Sequence, residues 1–496
     1  MNVVNRSSSA QSTNKPNSEE YDVVILGGGT GSTLAAWSIA GEGKRVAVIE
    51  RRYIGGSCPN IACMPSKNII QSANVVSYFR RSKEFGMRGD GDVTVDMSVI
   101  RDRKRRMVAG LNEMYLDLYK KTGAELILAS GRFVSPRTLE ATLPDGTTRL
   151  LRGTNVIIGT GTHAALEAVP GLSEAQPLTH IEALELGEVP RHLLVLGGGY
   201  VGTELAQAMR RFGSKVSVID RNDRLVKKED EDVTEALQSL LTDEGIDLIL
   251  NAHVKRISGN SGQSVTIVLD RNGVETTIEG SHLLVAAGRV PNTKDIGLEV
   301  AGVELTDRGY VKVNERLETT APGVWAIGEV AGSPQFTHIS ADDSLIVREN
   351  LVGGNRVTTG RQVPFCLFTD PELARVGLNE KEAQAQGIPY RLFKIPMEGV
   401  LRARAICETR GFMKALVEAD SDRILGFTSF CADAGELIAV VQVAMIAGLP
   451  YTALREAVLT HPTFAEGLVP LFSSVPSMPK VIRADDRSAA ATRSVA

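Results

Sequence analysis

The 496-residue chain has 43% hydrophobic and 23% charged residues, a composition typical of a globular protein with large buried cores. Its formal net charge of -4 gives no electrostatic reason to expect a nucleic acid or membrane partner, and no run of about 18 apolar residues is present to cross a bilayer. Five cysteines in so long a chain exclude a secreted disulfide framework and favour a reducing, cytoplasmic location.

The two ends of the chain differ in composition from the rest. Residues 1–20 are rich in Ser, Asn and Gln, and they lack both the apolar core of a signal peptide and the Arg-rich face of a transit peptide. We therefore expect residues 1–20 and 481–496 to be disordered tails.

The first structured segment reads as a βαβ unit with a glycine-rich turn. An apolar strand over Tyr21–Leu26 precedes the glycine loop, a small-residue helix follows around Leu34–Ala40, and a second strand over Arg45–Ile49 ends at Glu50. Such a loop places a pyrophosphate on a helix N-terminus, and the acid accepts hydrogen bonds from a ribose hydroxyl. The predicted contacts are Gly27, Gly29, Thr30, Gly31, Glu50 and Ser32, which stands where a third glycine is usual.

Two cysteines, Cys58 and Cys63, follow this unit, and their position beside a nucleotide indicates a redox-active dithiol. Pro65 suits a first helical turn, which would put Cys63 at the positive end of a helix, where a thiolate is stabilised. Two alternative interpretations of these cysteines exist. A zinc site is a poor one, because no second Cys or His pair has suitable spacing. The other is a pair of inert buried thiols.

A second βαβ unit lies about 170 residues further on. A strand over Leu193–Leu196 leads into a glycine loop, a helix runs through Phe212, and a strand over Val216–Ile219 ends at Asp220. The acid favours NADH, whereas the bases that follow it, Arg221, Arg224, Lys227 and Lys228, would favour NADPH unless they form a solvated face. We favour NADH. The predicted contacts are Gly197, Gly199, Tyr200, Val201, Gly202, Asp220 and Arg221.

Three further strands with glycine ends are predicted, at Val156–Ile158 before Gly161, at Leu283–Arg289 and at Val324–Gly328. After about residue 346 the pattern changes to an α+β domain, with a strand at Gly426–Phe430, an apolar helix at 435–447 and a tail helix after Pro462. In this region His461 and Glu466 could form a general base and its orienting carboxylate. The isolated Cys366, Cys407 and Cys431 are expected to be small core residues.

Together these motifs resemble the class I pyridine nucleotide-disulfide oxidoreductases, which include dihydrolipoamide dehydrogenase, glutathione reductase and mercuric reductase. The resemblance covers residues 20 to 475 and implies an α/β fold with two Rossmann-like dinucleotide-binding domains, for FAD and NAD(P), and a C-terminal α+β dimerisation domain. It implies FAD binding by 21–165 and 290–345, NAD(P) binding by 166–289, an interface domain at 346–480, and a homodimer.

The resemblance also assigns roles to individual residues. Cys58 would be the interchange thiol that attacks substrate and Cys63 the thiol against the flavin, with Lys67 near the flavin ring and Glu204 as the ion-pair partner of that lysine. His461 and Glu466 would reach the dithiol from the other subunit, so that the two subunits share the active site. Further cofactor contacts would come from Gly56, Ser57, Gly161, Gly288 and Glu329, and the last stands where the family usually has Asp. Tyr200 matches a position that covers the flavin where the nicotinamide docks.

The departures from the family pattern narrow the range of expected substrates. Leu459 stands where lipoamide dehydrogenases have a second His, which argues against lipoamide. No cysteine follows Cys431, which argues against mercury. Pro59 and Ala62 lie between the cysteines in place of a branched residue and a glycine. The segment 333–338 is similar to the mercuric-reductase-like branch that includes the bacterial reactive-chlorine-resistance flavoprotein.

Three hypotheses for the function remain open. The leading one is NAD(P)H-driven reduction of a small disulfide, or the reverse oxidation of a dithiol. The second is reduction of a metal ion such as Cu(II), or of a quinone, by a protein that has no resident metal. The third is a redox sensor or a subunit of a larger complex.

Overall fold

The structure is a computed structural model that describes residues 18–88 and 93–478. The predicted tails fall almost wholly outside the described residues. At the N-terminal side the first strand begins at Glu19 instead of Tyr21, because Glu19 and Glu20 pair with Leu151 and Arg152 of a neighbouring strand.

The strands and helices are numbered along the chain. Those up to residue 164 are β1 (Glu19–Leu26), α1 (Thr30–Gly41), β2 (Val46–Glu50), α2 (Ser57–Asn60), α3 (Cys63–Arg80), α4 (Met97–Thr122), β3 (Glu125–Leu128), β4 (Ser130–Ser135), β5 (Thr138–Thr142), β6 (Thr148–Ile158) and β7 (Thr162–Ala164).

The next group contains the second glycine loop. These elements are α5 (His180–Ala183), β8 (His192–Leu196), α6 (Tyr200–Phe212), β9 (Lys215–Ile219), α7 (Glu231–Asp243), β10 (Asp247–Ile249), β11 (Ala252–Asn260), β12 (Ser264–Arg271), β13 (Val274–Gly280), β14 (His282–Val285), β15 (Arg289–Pro291), α8 (Leu298–Ala301) and β16 (Val324–Ala326).

The remaining elements form the C-terminal part. They are α9 (Thr337–Leu351), β17 (Phe365–Leu367), β18 (Glu372–Gly377), α10 (Glu380–Ala385), β19 (Tyr390–Pro396), α11 (Leu401–Ala405), β20 (Phe412–Glu418), β21 (Ile424–Cys431), α12 (Ala434–Ile446), α13 (Tyr451–Arg455) and α14 (Leu468–Ser473). Short 3-10 helices lie at Ser82–Phe85, Gly328–Ala331, Met397–Gly399 and Ala465–Gly467.

The chain divides into two compact units. The first comprises the described residues up to Asn60, Gly110–His163 and Pro291–Thr359, and the second comprises Ile61–Ala109, Ala164–Val290 and the described residues from Gly360 onward. The predicted division into FAD, NAD(P) and interface domains remains a prediction, because contacts group the last two together with α3.

The first unit is built on a seven-stranded sheet in the order β3-β2-β1-β6-β5-β4, with β16 also pairing with β6. The strands β3, β2, β1, β6 and β16 are parallel, and the apolar run Val23–Leu26 is buried on both faces, as parallel strands between helices require. The glycine loop therefore leaves the carboxyl end of a central strand, which is where open α/β sheets bind ligands.

The second unit contains three sheets. The parallel sheet β10-β9-β8-β14 carries the second glycine loop, the sheet β11-β12-β13 is antiparallel, and the antiparallel sheet β17-β18-β21-β20-β19 packs its apolar face against α12. The strand predicted over Leu283–Arg289 is interrupted after Val285 and resumes as β15 at Arg289. Within residues 18–88 and 93–478, none of the helices is both long and apolar enough to cross a membrane.

Candidate active site

The first glycine loop joins β1 to α1 and leaves the start of this helix open. Gly27 has a φ of +95°, and a Cβ there would lie 2.5 Å from the carbonyl oxygen of Gly159, so only glycine fits. Gly29 is the N-cap of α1, and among the described residues no side chain caps this terminus. The N–H groups of the first turn, which contains Thr30 and Gly31, are thus available to a pyrophosphate.

Ser32 occupies the third glycine position of this loop without disrupting it. Its side chain is 2% exposed, and its hydroxyl lies where a Cβ on Gly159 would be, at 2.0 Å. At the matching position of the second loop, a Cβ on Gly202 would lie 2.1 Å from the Gly197 oxygen, so glycine is needed there. The serine is tolerated because Gly159 leaves room for it.

Glu50 ends β2 with both carboxylate oxygens engaged. Its Oε2 accepts a hydrogen bond from the Gly28 N–H at 2.7 Å, and its Oε1 accepts from the N–H groups of Arg52 and Tyr53 at 2.7 and 2.9 Å. The side chain is 8% exposed, so its position is fixed by backbone donors. The remaining lone pairs suit a ribose diol, and this donor and acceptor set fits the adenosine end of FAD.

The segment before Cys58 lies directly against the first glycine loop. Gly55 forms a bridge with Gly29, and a Cβ on Gly56 would lie 2.5 Å from the Gly29 Cα. Ser57 then begins α2, which carries the half-buried Cys58. The chain therefore contacts the predicted FAD loop at Gly56, two residues before Cys58.

Tyr115 is the neighbour of this segment that the sequence did not reveal. A Cβ on Gly55 would lie 2.4 Å from the Tyr115 ring, and the Tyr115 hydroxyl interacts with Thr30. Burial, and then the charge of Cys58, raise the pKa of the Tyr115 phenol, so it stays protonated and able to donate. An aromatic residue in a 26-residue helix carries no motif that would have identified it.

Cys63 is the first residue of α3, as Pro65 predicted. Lys67 lies one turn further, and its Nζ is 2.8 Å from the Oε2 of Glu204, which is 7% exposed. The other Glu204 oxygen accepts from the Phe368 N–H at 2.9 Å, and the Phe368 ring lies 4.5 Å from Lys67 Nζ. Because Glu204 belongs to α6, the helix that starts at Cys63 is tied to the helix that starts at the second glycine loop.

The second glycine loop repeats the arrangement of the first. Gly197 has a φ of +107°, Gly199 is the N-cap of α6, and within the described chain no side-chain cap occupies this terminus. Asp220 accepts from the Gly198 N–H at 2.6 Å through Oδ2 and from the Asn222 N–H at 2.7 Å through Oδ1. These residues fit a second dinucleotide in the same way.

Three of the four bases that follow Asp220 are engaged with acceptors. Arg221 lies 3.5 Å from Glu167, Arg224 pairs with Asp223 at 2.9 Å and Glu231 at 3.1 Å, and Lys227 donates to Asn222 at 2.9 Å.

Of the two residues that follow Gly199, Val201 is exposed and Tyr200 is partly buried. The Tyr200 ring stacks on Phe365, with 5.3 Å between centroids and an interplanar angle of 24°.

Gly161 and Glu329 lie in the first unit. Gly161 has a φ of +65°, and its carbonyl accepts from the Asn292 N–H at 2.9 Å. Glu329 is in the 3-10 helix after β16, and its carboxylate accepts a hydrogen bond from the Thr162 hydroxyl. The extra methylene of Glu329 relative to Asp thus reaches a specific partner. Gly288 lies in the second unit with a φ of +147° and accepts from the Ala165 N–H at 2.9 Å.

His461 and Glu466 come together as predicted. The Nδ1 of His461 lies 2.9 Å from Glu466 Oε2, which fixes the ring and leaves Nε2 for a reacting group. The His461 side chain is 65% exposed. A histidine–carboxylate pair exposed to this degree fits a site completed by another surface.

The three isolated cysteines differ from one another. Cys431 is fully buried and Cys366 is partly buried beside Glu372, with burial raising the pKa of the Cys366 thiol. The prediction for Cys407 is wrong, because this residue is exposed at a φ of +58° in the turn after α11. Because this turn contains no glycine, the sequence did not indicate the positive φ of Cys407.

Comparisons with known proteins agree with this geometry. Residues 21–344 match the pyridine nucleotide-disulphide oxidoreductase family, and residues 363–471 match its dimerisation domain. The chain is 35% identical over 462 residues to the probable pyridine nucleotide-disulfide oxidoreductase RclA of Escherichia coli K12, covering 92% of this chain and 99% of that protein. It is 33% identical over 451 residues to a mercuric reductase of Staphylococcus aureus, covering 90% and 81%.

A solved structure described as the Cu(II) complex of the HOCl-induced flavoprotein disulfide reductase RclA from Escherichia coli has a TM-score of 0.83 at 34% identity, covering 92% of this chain and 99% of that chain. The predicted fold class, two Rossmann-type dinucleotide-binding domains and a C-terminal dimerisation domain, is confirmed by these matches. The chain belongs to the pyridine nucleotide-disulfide oxidoreductases, a family of flavin- and pyridine-nucleotide-dependent enzymes.

Proposed function

We propose that the protein is an FAD-dependent NADH:disulfide oxidoreductase in which electrons pass through Cys58 and Cys63 to a small disulfide. The net reaction converts NADH, a proton and a disulfide into NAD⁺ and two thiols. FAD, when bound, supplies the two-electron link between the nicotinamide and the dithiol. The same couple can run in reverse with a dithiol substrate.

The observation that carries this proposal is the Lys67–Glu204 pair. It joins the helix that begins at Cys63 to the helix that begins at the nicotinamide loop, with 2.8 Å between Nζ and Oε2. Within the first unit, Gly55 and Gly56 join the Cys58 segment to the FAD loop. The Cys58 segment thus contacts the FAD loop, and Cys63 begins a helix that is tied to the helix after the nicotinamide loop; four residues of chain separate the two cysteines.

The proposed chemistry at the thiols balances in two exchanges. The Cys58 thiolate attacks one sulfur of the substrate and releases the first thiol, and Cys63 then attacks Cys58, releases the second thiol and forms the Cys58–Cys63 disulfide. His461 of the partner subunit takes the proton from Cys58 and returns it to the first leaving thiolate, while Glu466 orients the ring.

This role for His461 requires a homodimer, and exposed apolar residues of the C-terminal part favour one. On α12 the residues Val443 and Ile446 are 64% and 69% exposed although the opposite face of the helix is packed in the core, and Val458 is wholly exposed near the dyad. Exposed apolar groups of this size in the matched dimerisation domain favour burial against a second copy. A cytoplasmic location remains part of the proposal, since thiol chemistry requires a reducing compartment.

NADH is the proposed nucleotide because backbone N–H groups hold Asp220 at the end of β9, where a ribose would bind in such a unit, and the carboxylate would repel a 2′-phosphate. The nearby bases Arg221 and Arg224 are engaged with carboxylates. We expect kcat/KM for NADH to exceed that for NADPH.

Turnover with a panel of small disulfides tests the proposal directly. Replacement of Cys58 by Ser removes the attacking sulfur, so NADH oxidation with every active disulfide should fall to background while flavin content is retained. Full disulfide turnover in the C58S protein would contradict the proposed path.

A second candidate, reduction of a metal ion or a quinone, is favoured by one observation. The similar RclA protein has been solved as a Cu(II) complex, so Cu(II) is the acceptor to test first. If the C58S protein kept full NADH-dependent turnover with Cu(II) or a quinone and lost it with disulfides, the flavin would serve these acceptors without the dithiol.

A further inference from the structure

The first unit has a second turn at the same edge of its sheet as the first glycine loop. The strands β1, β6 and β16 are parallel neighbours, and Leu26, Ile158 and Ala326 are register partners at their carboxyl ends. The chain that follows β16 therefore leaves the sheet beside the loop that follows β1, where open α/β sheets bind ligands. We call residues 328–333 the β16 turn.

The order of the strands divides the proposed FAD site into two halves. Glu50, the proposed adenosine contact, ends β2, which lies on the opposite side of β1 from β6 and β16. With the pyrophosphate at the start of α1, the other half of FAD, its ribitol and flavin, extends over the ends of β6 and β16. The β16 turn and its Glu329 lie at that half.

The side chain of Asp343 closes the β16 turn from the helix α9. It is fully buried, and its Oδ2 accepts hydrogen bonds from the Gly328 N–H and the Ser333 hydroxyl, both at 2.7 Å. These donors are the first and last residues of the turn, so a single oxygen ties its two ends together. Gly328 has a φ of +69° and is followed directly by Glu329. The backbone that carries Glu329 is therefore held by α9.

The same face of α9 also contacts the first glycine loop. A Cβ on Gly31 would lie 2.4 Å from the Ser340 hydroxyl oxygen, and a Cβ on Gly328 would lie 2.9 Å from the same atom. Ser340 and Asp343 are three residues apart, so they lie on one face of the helix. Through these two residues α9 sets the position of the β16 turn relative to the loop that is proposed to bind the pyrophosphate.

We propose that Asp343 is a positioning residue that holds the β16 turn so that Glu329 serves the ribitol and flavin half of FAD. This inference rests on the proposed FAD site. Without the carboxylate, the Gly328 N–H loses its acceptor and the turn takes other conformations, so FAD binds only the fraction of molecules in which the turn is correct. Loss of one buried acceptor corresponds to roughly a 5- to 100-fold weaker affinity.

The test measures the dissociation constant of FAD by dilution and ultrafiltration of the purified holoenzyme, with ADP as a competitor. FAD reports both halves of the site, whereas ADP reports only the half at Glu50. Asp343→Ala should weaken FAD roughly 5- to 100-fold and leave the inhibition constant of ADP unchanged. Asp343→Asn, which keeps an acceptor oxygen, should bind FAD like the wild type.

Ser344→Ala is the matched control. Ser344 is also a buried polar residue of α9, 3% exposed, but its hydroxyl donates to the Ala341 carbonyl of its own helix. Its loss should leave both affinities unchanged. Ser333→Ala removes one of the two donors to Asp343, so it should show a smaller selective loss of FAD affinity and serves in place of Asp343→Ala if that variant does not fold.

A double variant separates positioning from general damage. If Asp343 acts through Glu329, the variant Asp343→Ala/Glu329→Ala should bind FAD no more weakly than Glu329→Ala alone. Unchanged FAD affinity in Asp343→Ala, an equal loss for FAD and ADP, or additive losses in the double variant would overturn the inference. A wild-type protein that binds no FAD would instead refute the proposed FAD site itself.

Discussion

At the scale of single residues, the proposed catalytic and cofactor-binding side chains are oriented by specific neighbours. Lys67 is held by Glu204, His461 by Glu466, and Glu50 by three backbone donors. In each case a carboxylate fixes or is fixed by a specific neighbour, so the effect of a substitution should depend on which partner is left unpaired.

The His461–Glu466 dyad gives a prediction at this scale. His461→Ala should lower disulfide turnover by about 10²- to 10⁴-fold, because proton transfer to the leaving thiol is lost. Glu466→Gln keeps a hydrogen-bond acceptor and should cost less. The rate of flavin reduction by NADH, followed by stopped flow, should stay near wild type in both variants.

The control for this prediction is His253→Ala, which removes an exposed histidine of β11. It should leave both half-reactions unchanged. Equal losses of flavin reduction and disulfide turnover in His461→Ala would place the histidine outside the proposed step.

These candidate residues could be named from the sequence, but their surroundings could not. The cysteine pair and the spacing of His461 and Glu466 are local patterns, and a local pattern survives without tertiary information. Tyr115 beside Cys58 and Phe365 beside Tyr200 come from segments far apart in the chain. Only packing brings them together, and the exposed Cys407 shows that residue type alone does not decide burial.

At the scale of elements, the turns before and after α1 require glycine for different physical reasons. Gly27 needs both a positive φ and the absence of a Cβ, whereas Gly43 in the turn after α1 has a φ of +84° with nothing within 4 Å of a Cβ. The two positions therefore separate backbone strain from steric collision.

Paired substitutions test this distinction. Gly43→Ala should cost only about 1–2 kcal/mol of stability, the strain of a left-handed alanine. Gly27→Ala adds a contact of 2.5 Å with the Gly159 oxygen, so it should lose FAD as well as stability. Thermal unfolding and the flavin absorbance of the purified proteins measure both effects, and retention of full flavin by Gly27→Ala would contradict the assignment of this loop.

The elements of both βαβ units were predictable to within one or two residues, except that α1 begins at Thr30, before the predicted start. Apolar runs, glycine turns and terminal acids act locally there. The break between β14 and β15 was missed because residues 283–287 are all apolar, although β14 ends at Val285 and the chain turns at Gly288, which has a φ of +147°, before β15 begins at Arg289. Hydrophobicity does not report such a turn.

At the scale of the whole molecule, Lys414 joins distant segments of the second unit. It is fully buried, and its Nζ lies 2.7 Å from Asp230, 2.8 Å from Asp232 and 3.1 Å from Glu380. These three acids are close enough together to hold a cation, and the ammonium supplies it. Nothing in the sequence around Lys414 indicates a buried charge, because its partners lie elsewhere in the chain.

This cluster predicts a pH-dependent stability. Burial would raise the pKa of Asp232, but the positive charges of Lys414 and Lys394 outweigh it and lower that pKa. A carboxyl with a lowered folded pKa stabilises the fold above its unfolded pKa of about 3.9, and this contribution is lost as the pH falls through the lower folded value. Stability should therefore drop below about pH 4.

Lys414→Met checks the sign of this effect. It should cost about 3–5 kcal/mol at neutral pH, because buried carboxylates lose their cation, and clearly less at about pH 3, where they become protonated. Urea denaturation at both pH values measures the difference. Lys312→Met, which removes the exposed pair with Glu304, should cost under about 1 kcal/mol, and an equal cost for both variants would contradict the role given to Lys414.

The measurement that tests the central claim most directly is anaerobic titration of the FAD-loaded protein with NADH and, separately, with NADPH, followed by visible absorbance. We predict a long-wavelength charge-transfer band from the Cys63 thiolate against the flavin, formed faster with NADH and absent in Cys63→Ser. Direct bleaching of the flavin without that band would contradict the account, since it would show that the dithiol is not coupled to the flavin.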